Sequence, residues 1–323
     1  MSAVPAATFP LGQPKGLALG GTGVPEHPGG QANADVLVAA AWEDGVRYFD
    51  TAPMYGGGVA ERLMGRALAA YPRADLVLSS KVGRLVRGDE PVPPGEDPLW
   101  RFDFSADGIR RSVEESLERL GVDRLDVAFV HDPDAFLALV TRESYPALER
   151  LRDEGLVGRI GVGVCQVPTL LHLLRETRVE VALLAGRLSL VDGEAVDEVL
   201  PLVAEQGVTL VVASVLHAGL VDGRDSGQLH YAPTPPEVVL QVAAIKEVCD
   251  RHGTPIGAAA LQFVLARPEV AMALTGAVDV DQWRQNLAWS RWPVPAKLWR
   301  DLAAAGLLSS DLPPALVERA STA

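Results

Sequence analysis

The sequence predicts an α/β protein built as a single (β/α)8 barrel of the TIM type over residues 1–323, with long loops on its C-terminal face. Three observations carry that expectation. Eight strand-like apolar runs alternate with helical patterns, which implies a parallel sheet, and the count of eight suggests closure into a barrel. Asp50, Tyr55, Lys81 and His131 fall at or just past the ends of neighbouring runs, where a parallel barrel builds its active site. The rival architecture, a doubly wound open sheet, usually carries G-x-G-x-x-G after its first strand, and Leu19-Gly20-Gly21-Thr22-Gly23 does not fit.

The strand candidates are 15–20, 46–50, 76–81, 125–130, 158–162, 180–185, 208–213 and 271–275. Between them, residues 105–120 give the clearest helix. Ser105 can cap its start, Ile109, Val113, Leu117 and Leu120 recur at helical spacing, and Gly121 ends it. Two connections are long and follow strands. Residues 83–104 hold Pro91, Pro93, Pro94 and Pro98, then Trp100, Phe102 and Phe104. Residues 216–235 hold Gly219, Gly223, Gly227, Pro233 and Pro235. Long structured loops on that face are usually binding loops or lids, and Trp100 and Phe102 are candidate walls of a substrate pocket. The segment after Trp292 packs either over the same face or on the outside. No low-complexity tract or interdomain linker stands out.

The bulk numbers exclude some classes. Residues are 48% hydrophobic, enough for a large core, and the formal charge is −13 with a pI near 4.9. That balance argues against nucleic acid as a partner and for a cytoplasmic protein. Met1-Ser2-Ala3-Val4-Pro5 lacks the basic start and apolar core of a signal peptide, and no apolar stretch approaches the ~20 residues of a membrane span. Cys165 and Cys249 are the only cysteines, and two reduced thiols are expected. No metal is expected.

The chemistry of the four residues is specific in combination. A phenol ordinarily titrates near 10, too high for efficient proton exchange at neutral pH. An ammonium beside it lowers that value, a carboxylate holds the ammonium, and a histidine orients a carbonyl or alkoxide oxygen. Together they suit the interconversion of C=O and CH–OH, with a nicotinamide cofactor supplying the hydride. Each residue alone has a plainer use: Asp50 as a cap, Tyr55 as a packed aromatic, Lys81 in any ion pair, His131 at a turn before Asp132-Pro133. Lys81 is one of only four lysines (15, 81, 246 and 297), so its place at a strand end is unlike surface decoration.

Gly45-Val46-Arg47-Tyr48-Phe49-Asp50-Thr51-Ala52-Pro53-Met54-Tyr55-Gly56 resembles the aldo-keto reductases. The likeness continues through Glu61-Arg62-Leu63-Met64-Gly65, Ser80-Lys81-Val82-Gly83, Gly158-Arg159-Ile160-Gly161-Val162, Thr275-Gly276-Ala277 and Asn286. It implies a TIM barrel with NAD(P)H across its C-terminal face. It implies Tyr55 as acid/base, Lys81 as the partner that lowers its pKa, Asp50 as the partner of Lys81, and His131 as the residue that orients substrate. Phe102-Asp103-Phe104-Ser105, Val130-His131-Asp132-Pro133-Asp134, Leu184-Ala185-Gly186-Arg187 and Ala304-Ala305-Gly306-Leu307-Leu308 resemble the subgroup acting on aldoses and pyridoxal. The expected reaction is therefore oxidation of an aldose at C1 to a lactone. Alternatives are pyridoxal 4-dehydrogenation, general aldehyde reduction, or a cofactor-binding sensor on the same barrel.

For the cofactor, the resemblance points to Gly21 and Thr22, and to Val164 and Cys165 where the family usually has Ser-Asn. It also points to Ser214, Leu216 and Gly219, and to Gly276, Ala277, Asp279, Gln282 and Asn286. Ala213 stands where a stacking tyrosine is common. Relatives that prefer NADP usually carry Lys or Arg near the start of the 275–286 motif and an Arg four residues before its Asn. Gly276, Ala277, Val278, Asp279 and Gln282 offer none, so NAD is expected, with NADP as the alternative. Asp279 has a plainer reading as a helix cap.

Overall fold

In the computed structural model, residues 15–88, 92–221, 228–229 and 232–321 are described. The expected features Met1–Pro5, Pro91, Gly223 and Gly227 lie outside them. The barrel strands are β1 (Gly16–Gly20), β2 (Tyr48–Asp50), β3 (Val77–Val82), β6 (Leu125–His131), β7 (Val157–Val164), β8 (Val181–Ala185), β9 (Thr209–Ala213) and β12 (Val270–Gly276). They form a closed barrel in the order β1-β12-β9-β8-β7-β6-β3-β2, with helices alternating between strands. The resolved pairs β1–β2, β2–β3, β3–β6, β6–β7 and β9–β12 are parallel.

The chain falls into two compact units, one of residues 18–183 with 276–283, the other of the remainder. In the first unit, helices α1 (Gly30–Glu43), α2 (Val59–Leu68) and α3 (Ala106–Leu120) separate the early strands. The Ser105 hydroxyl accepts the Gly108 N–H at 3.1 Å, which satisfies one of the orphan donors at the start of α3. Ile109, Val113, Leu117 and Leu120 are buried, and Gly121 ends the helix at φ 68°. Gly65 lets α2 and α3 approach closely, because a Cβ there would fall 2.3 Å from the Leu120 carbonyl oxygen. The short turns α4 (Leu137–Leu139) and helices α5 (Tyr145–Asp153) and α6 (Val167–Glu176) follow.

Part of the stretch expected as a long loop after β3 is strand. Arg84–Val86 and Trp100–Phe102 form an antiparallel hairpin, β4 and β5, pairing Arg84 with Phe102 and Val86 with Trp100. The prolines between the arms favour loop, but Val86, Trp100 and Phe102 favour strand and the arms themselves contain no proline.

The second unit carries α7 (Val199–Gln206), α8 (Pro236–Arg251) and α9 (Ile256–Leu265). Phe263 and Trp299 are fully buried there with ring centroids 6.3 Å apart. Helices α10 (Val280–Ser290), α11 (Ala296–Ala304) and α12 (Pro314–Ser321) end the chain, α10 beginning in the first unit. Within 216–235, His217–Gly219 is a 3-10 turn, and Gln228–Leu229 (β10) pairs with Ala232–Pro233 (β11). Among the described residues no helix is long and apolar enough to cross a membrane, and no cluster of three His, Cys, Asp or Glu side chains could hold a metal.

Candidate active site

Asp50, Lys81 and His131 end or nearly end the parallel strands β2, β3 and β6. Register places Asp50 beside Ser79, and Lys81 beside Phe129 two residues before His131. Tyr55 follows β2 in a turn closed by its own N–H on the Ala52 carbonyl at 3.1 Å. Gly56, Gly57 and Gly58 all have positive φ, so the chain reverses immediately after Tyr55 in a conformation other residues resist.

The structure brings these four side chains into one cluster, in which Asp50, Lys81 and His131 are buried and Tyr55 is half-buried. Lys81 Nζ donates to Asp50 Oδ2 at 2.5 Å and to the Thr51 carbonyl at 3.0 Å, and lies 4.8 Å from the Tyr55 ring centroid. The Ser79 hydroxyl donates to Asp50 Oδ1 at 2.6 Å, fixing the carboxylate from its other side. The Tyr55 and His131 rings meet edge to face at 6.4 Å. Asp50, Lys81 and His131 are at most 5% exposed.

Burial makes these charges consequential. It pushes Lys81 down, but the Asp50 carboxylate and Tyr55 outweigh it and hold the ammonium above the ordinary lysine range. Burial is also the largest influence on Tyr55 and raises its hydroxyl above the ordinary value. Lys81 opposes this through its charge and a hydrogen bond, while Asp50 reinforces it. Lys81 thus pulls the phenol downward as expected, and burial outweighs it. His131 lies well below its ordinary value, first through burial, then through the Arg84 and Lys81 charges, so its imidazole is neutral near pH 7.

Sequence reasoning missed Arg84, Ser79 and the role of Asp132. Arg84 Nη2 donates to Asp132 Oδ2 at 2.7 Å, and Asp132 Oδ1 accepts the Cys165 N–H at 3.0 Å. The Arg84 guanidinium carbon lies 4.8 Å and 5.3 Å from the Trp100 and Phe102 ring centroids. Phe102 in turn packs on Phe104 and Phe136. The available signal was adjacency, since Arg84 stands three residues after Lys81 and Asp132 directly after His131.

The candidate cofactor residues are divided. Gly21 donates its N–H to the Asp50 carbonyl at 2.8 Å and packs on Met64, where a Cβ would come 2.1 Å from the sulfur. Thr22 adjoins Gly276, at 3.1 Å from a Cβ built there. Ala277 is buried. Val164 is buried, and the Cys165 N–H is committed to Asp132. Asp279 accepts the Gln282 N–H at 2.8 Å, and Gln282 Oε1 accepts the Val278 N–H at 2.6 Å, a capping arrangement at the start of α10. Ser214, Leu216, Gly219 and Asn286 belong to the second unit. There Ser214 and His217 take positive φ of 55° and 47°, and Gly219 takes 94°.

The charge balance of this cluster fits a nicotinamide. Lys81 with Asp50 and Arg84 with Asp132 are two balanced ion pairs, and His131 is neutral. A ring that alternates between cationic and neutral forms therefore meets no net charge from these groups.

The aldo/keto reductase family model matches residues 17–306. The chain is 37% identical over 287 residues to D-threo-aldose 1-dehydrogenase of a Pseudomonas species, covering 84% of this chain and 87% of that protein. It is 35% identical over 310 residues to pyridoxal 4-dehydrogenase of Microbacterium luteolum, covering 87% and 90%. An aldo-keto reductase structure from Bacillus halodurans shares the fold with a TM-score of 0.72 at 24% identity, over 93% of this chain and 94% of that one. The matched length and these identities establish that the chain belongs to the aldo/keto reductase family and is an NAD(P)-dependent oxidoreductase.

Proposed function

We propose that the protein is an aldose 1-dehydrogenase of the L-fucose or D-threo-aldose type, with Tyr55 as its acid/base. The observation that carries this reading is the buried Lys81 ammonium, shared between Asp50 and Tyr55 and adjoined by His131. A nicotinamide held beside this cluster would supply the acceptor for the hydride of the anomeric carbon. The Tyr55 phenolate, a minor form that Lys81 favours against burial, takes the anomeric hydroxyl proton, and the C1–O bond becomes the carbonyl of a lactone. Lys81 stabilises the phenolate, Asp50 holds Lys81, and His131 orients the substrate oxygen. In the reverse direction, Tyr55 returns its proton to the carbonyl oxygen. Trp100 and Phe102 supply a wall for the C–H faces of the sugar, and Phe102 is 42% exposed and so open to contact. Likeness to a D-threo-aldose dehydrogenase at 37% identity supports the substrate class. The pyridoxal 4-dehydrogenase at 35% identity makes pyridoxal the second candidate.

NAD is the proposed cofactor. Gly276, Ala277, Val278, Asp279 and Gln282 carry no cation for a 2′-phosphate, and an unpaired phosphate loses water without recompense. The capping bonds of Asp279 and Gln282 give both side chains structural work as well. The test is kcat/KM for a panel of aldoses, pyridoxal and simple aldehydes, each with NAD and NADP. An aldose with NAD should give the highest value. Preference for pyridoxal would overturn the substrate class, a clear NADP advantage would overturn the cofactor, and binding without turnover of any substrate would favour a sensor.

A further inference from the structure

We propose that Asp132, held in place by Arg84, is a positioning residue that keeps the ring proton of His131 on Nε2, making that nitrogen the donor to the substrate oxygen. This rests on the reading of the Tyr55 cluster as the reacting site.

Asp132 is anchored from three directions. Its N–H donates to the Gly163 carbonyl at 2.9 Å, its Oδ1 accepts the Cys165 N–H at 3.0 Å, and its Oδ2 accepts Arg84 Nη2 at 2.7 Å. Its backbone is left-handed, with φ 40°. Aspartate tolerates that region better than most residues, yet the conformation persists only where surroundings enforce it. Arg84 is fixed in turn. Nη1 lies 3.1 Å from Met54 Sδ, and Trp100 and Phe102 flank the guanidinium.

The anchored carboxylate bears on one nitrogen of the neighbouring imidazole. His131 Nε2 lies 3.7 Å from Asp132 Oδ2, beyond hydrogen-bond distance but near enough for charge to act on an N–H dipole. His131 Nδ1 is buried without a hydrogen-bond partner among the described residues. A proton on Nδ1 would be a buried unsatisfied donor, whereas a proton on Nε2 faces a carboxylate. A second proton is opposed by burial and by Arg84 and Lys81. The other ionisable groups here are Tyr55 edge-on, Asp50 paired to Lys81, Cys165 bound to Asp132, and Asp134, which acts on Asp132. With one ring proton, the tautomer decides whether Nε2 donates or accepts.

The experiment is NMR of ring-¹⁵N-labelled histidine in the full-length protein, with His131 assigned by His131→Gln, alongside single-turnover hydride transfer. Wild type should show Nε2–H at neutral pH. Asp132→Asn should populate Nδ1–H and slow hydride transfer by roughly 10²-fold, the scale of a small misplacement, with nucleotide affinity unchanged. Arg84→Met removes one of the two cations that oppose a second ring proton, so His131 should protonate at a higher pH than in wild type. Arg84→Gln with Asp132→Asn keeps a hydrogen-bonded pair without charge, and should lose the Nε2 preference even if a single variant folds poorly. Retention of Nε2–H with wild-type rates in Asp132→Asn or in the double variant would overturn the proposal. Tyr55→Phe separates the two readings. If it abolishes turnover while the Asp132 variants behave as wild type, only the positioning role fails. If it leaves turnover intact, the reading of the site fails.

Discussion

Lys81 is where local electrostatics and function meet. Its ammonium is almost wholly buried, and its stability there depends on Asp50 at 2.5 Å. Lys81→Met should therefore leave a buried uncompensated carboxylate and cost about 3–5 kcal/mol in chemical denaturation. The same change removes the influence that opposes burial at Tyr55, so the phenol rises further and the pH profile of oxidation moves to higher pH. An unchanged profile, measured where chemistry limits the rate, would show that Lys81 does not tune Tyr55. The cysteines offer an independent check on burial. Burial first, then Asp132, pushes the Cys165 thiol up to about 12, and burial pushes Cys249 to about 12. Both should react with iodoacetamide at pH 7.5 far more slowly than a free cysteine, because the thiolate is the nucleophile. Rapid labelling of Cys249 in the folded protein would contradict its buried placement, and rapid labelling of the half-buried Cys165 would deny that its thiol is raised.

At the scale of elements, most of the frame was legible and part of it was not. Helix α3 could be read from Ser105, four apolar positions and Gly121, and its cap bond gives a direct prediction. Ser105→Ala should lower stability by about 1 kcal/mol in urea denaturation, and no change would deny the cap its role. The hairpin β4–β5 was hidden because prolines between its arms outweighed two three-residue strands. Its pairing places Trp100 opposite Val86 and, with Arg84, beside the strand ends that carry Lys81 and His131. Trp100→Ala should raise KM for an aldose by roughly three- to ten-fold, as expected for loss of an aromatic contact of about 0.5–1.5 kcal/mol, with little change in NAD affinity. Equal KM across an aldose panel would place the indole outside the pocket. Asp279 shows a different limit. The spacing Asp279 to Gln282 fitted both a cap and a ribose contact, and only the bonds at the start of α10 distinguish its structural use.

For the whole molecule, alternation of strands and helices sufficed to predict the closed barrel, because successive parallel strands require a crossover and eight such strands close the ring. The four predicted side chains converge because consecutive strands in register present their ends together. What a linear reading could not supply was partnership across the register. Arg84 and Asp132 are 48 positions apart, and nothing local to either predicts their 2.7 Å contact. Nor could it supply burial, which reverses the expected net direction for Tyr55. The central claim is that Tyr55 moves the proton while the other three residues hold and tune it. Its most direct test is single-turnover hydride transfer by Tyr55→Phe, followed by nicotinamide absorbance, with nucleotide affinity measured in parallel. The account predicts a fall of roughly 10²–10⁴-fold in rate with affinity unchanged; a rate near that of wild type would contradict it.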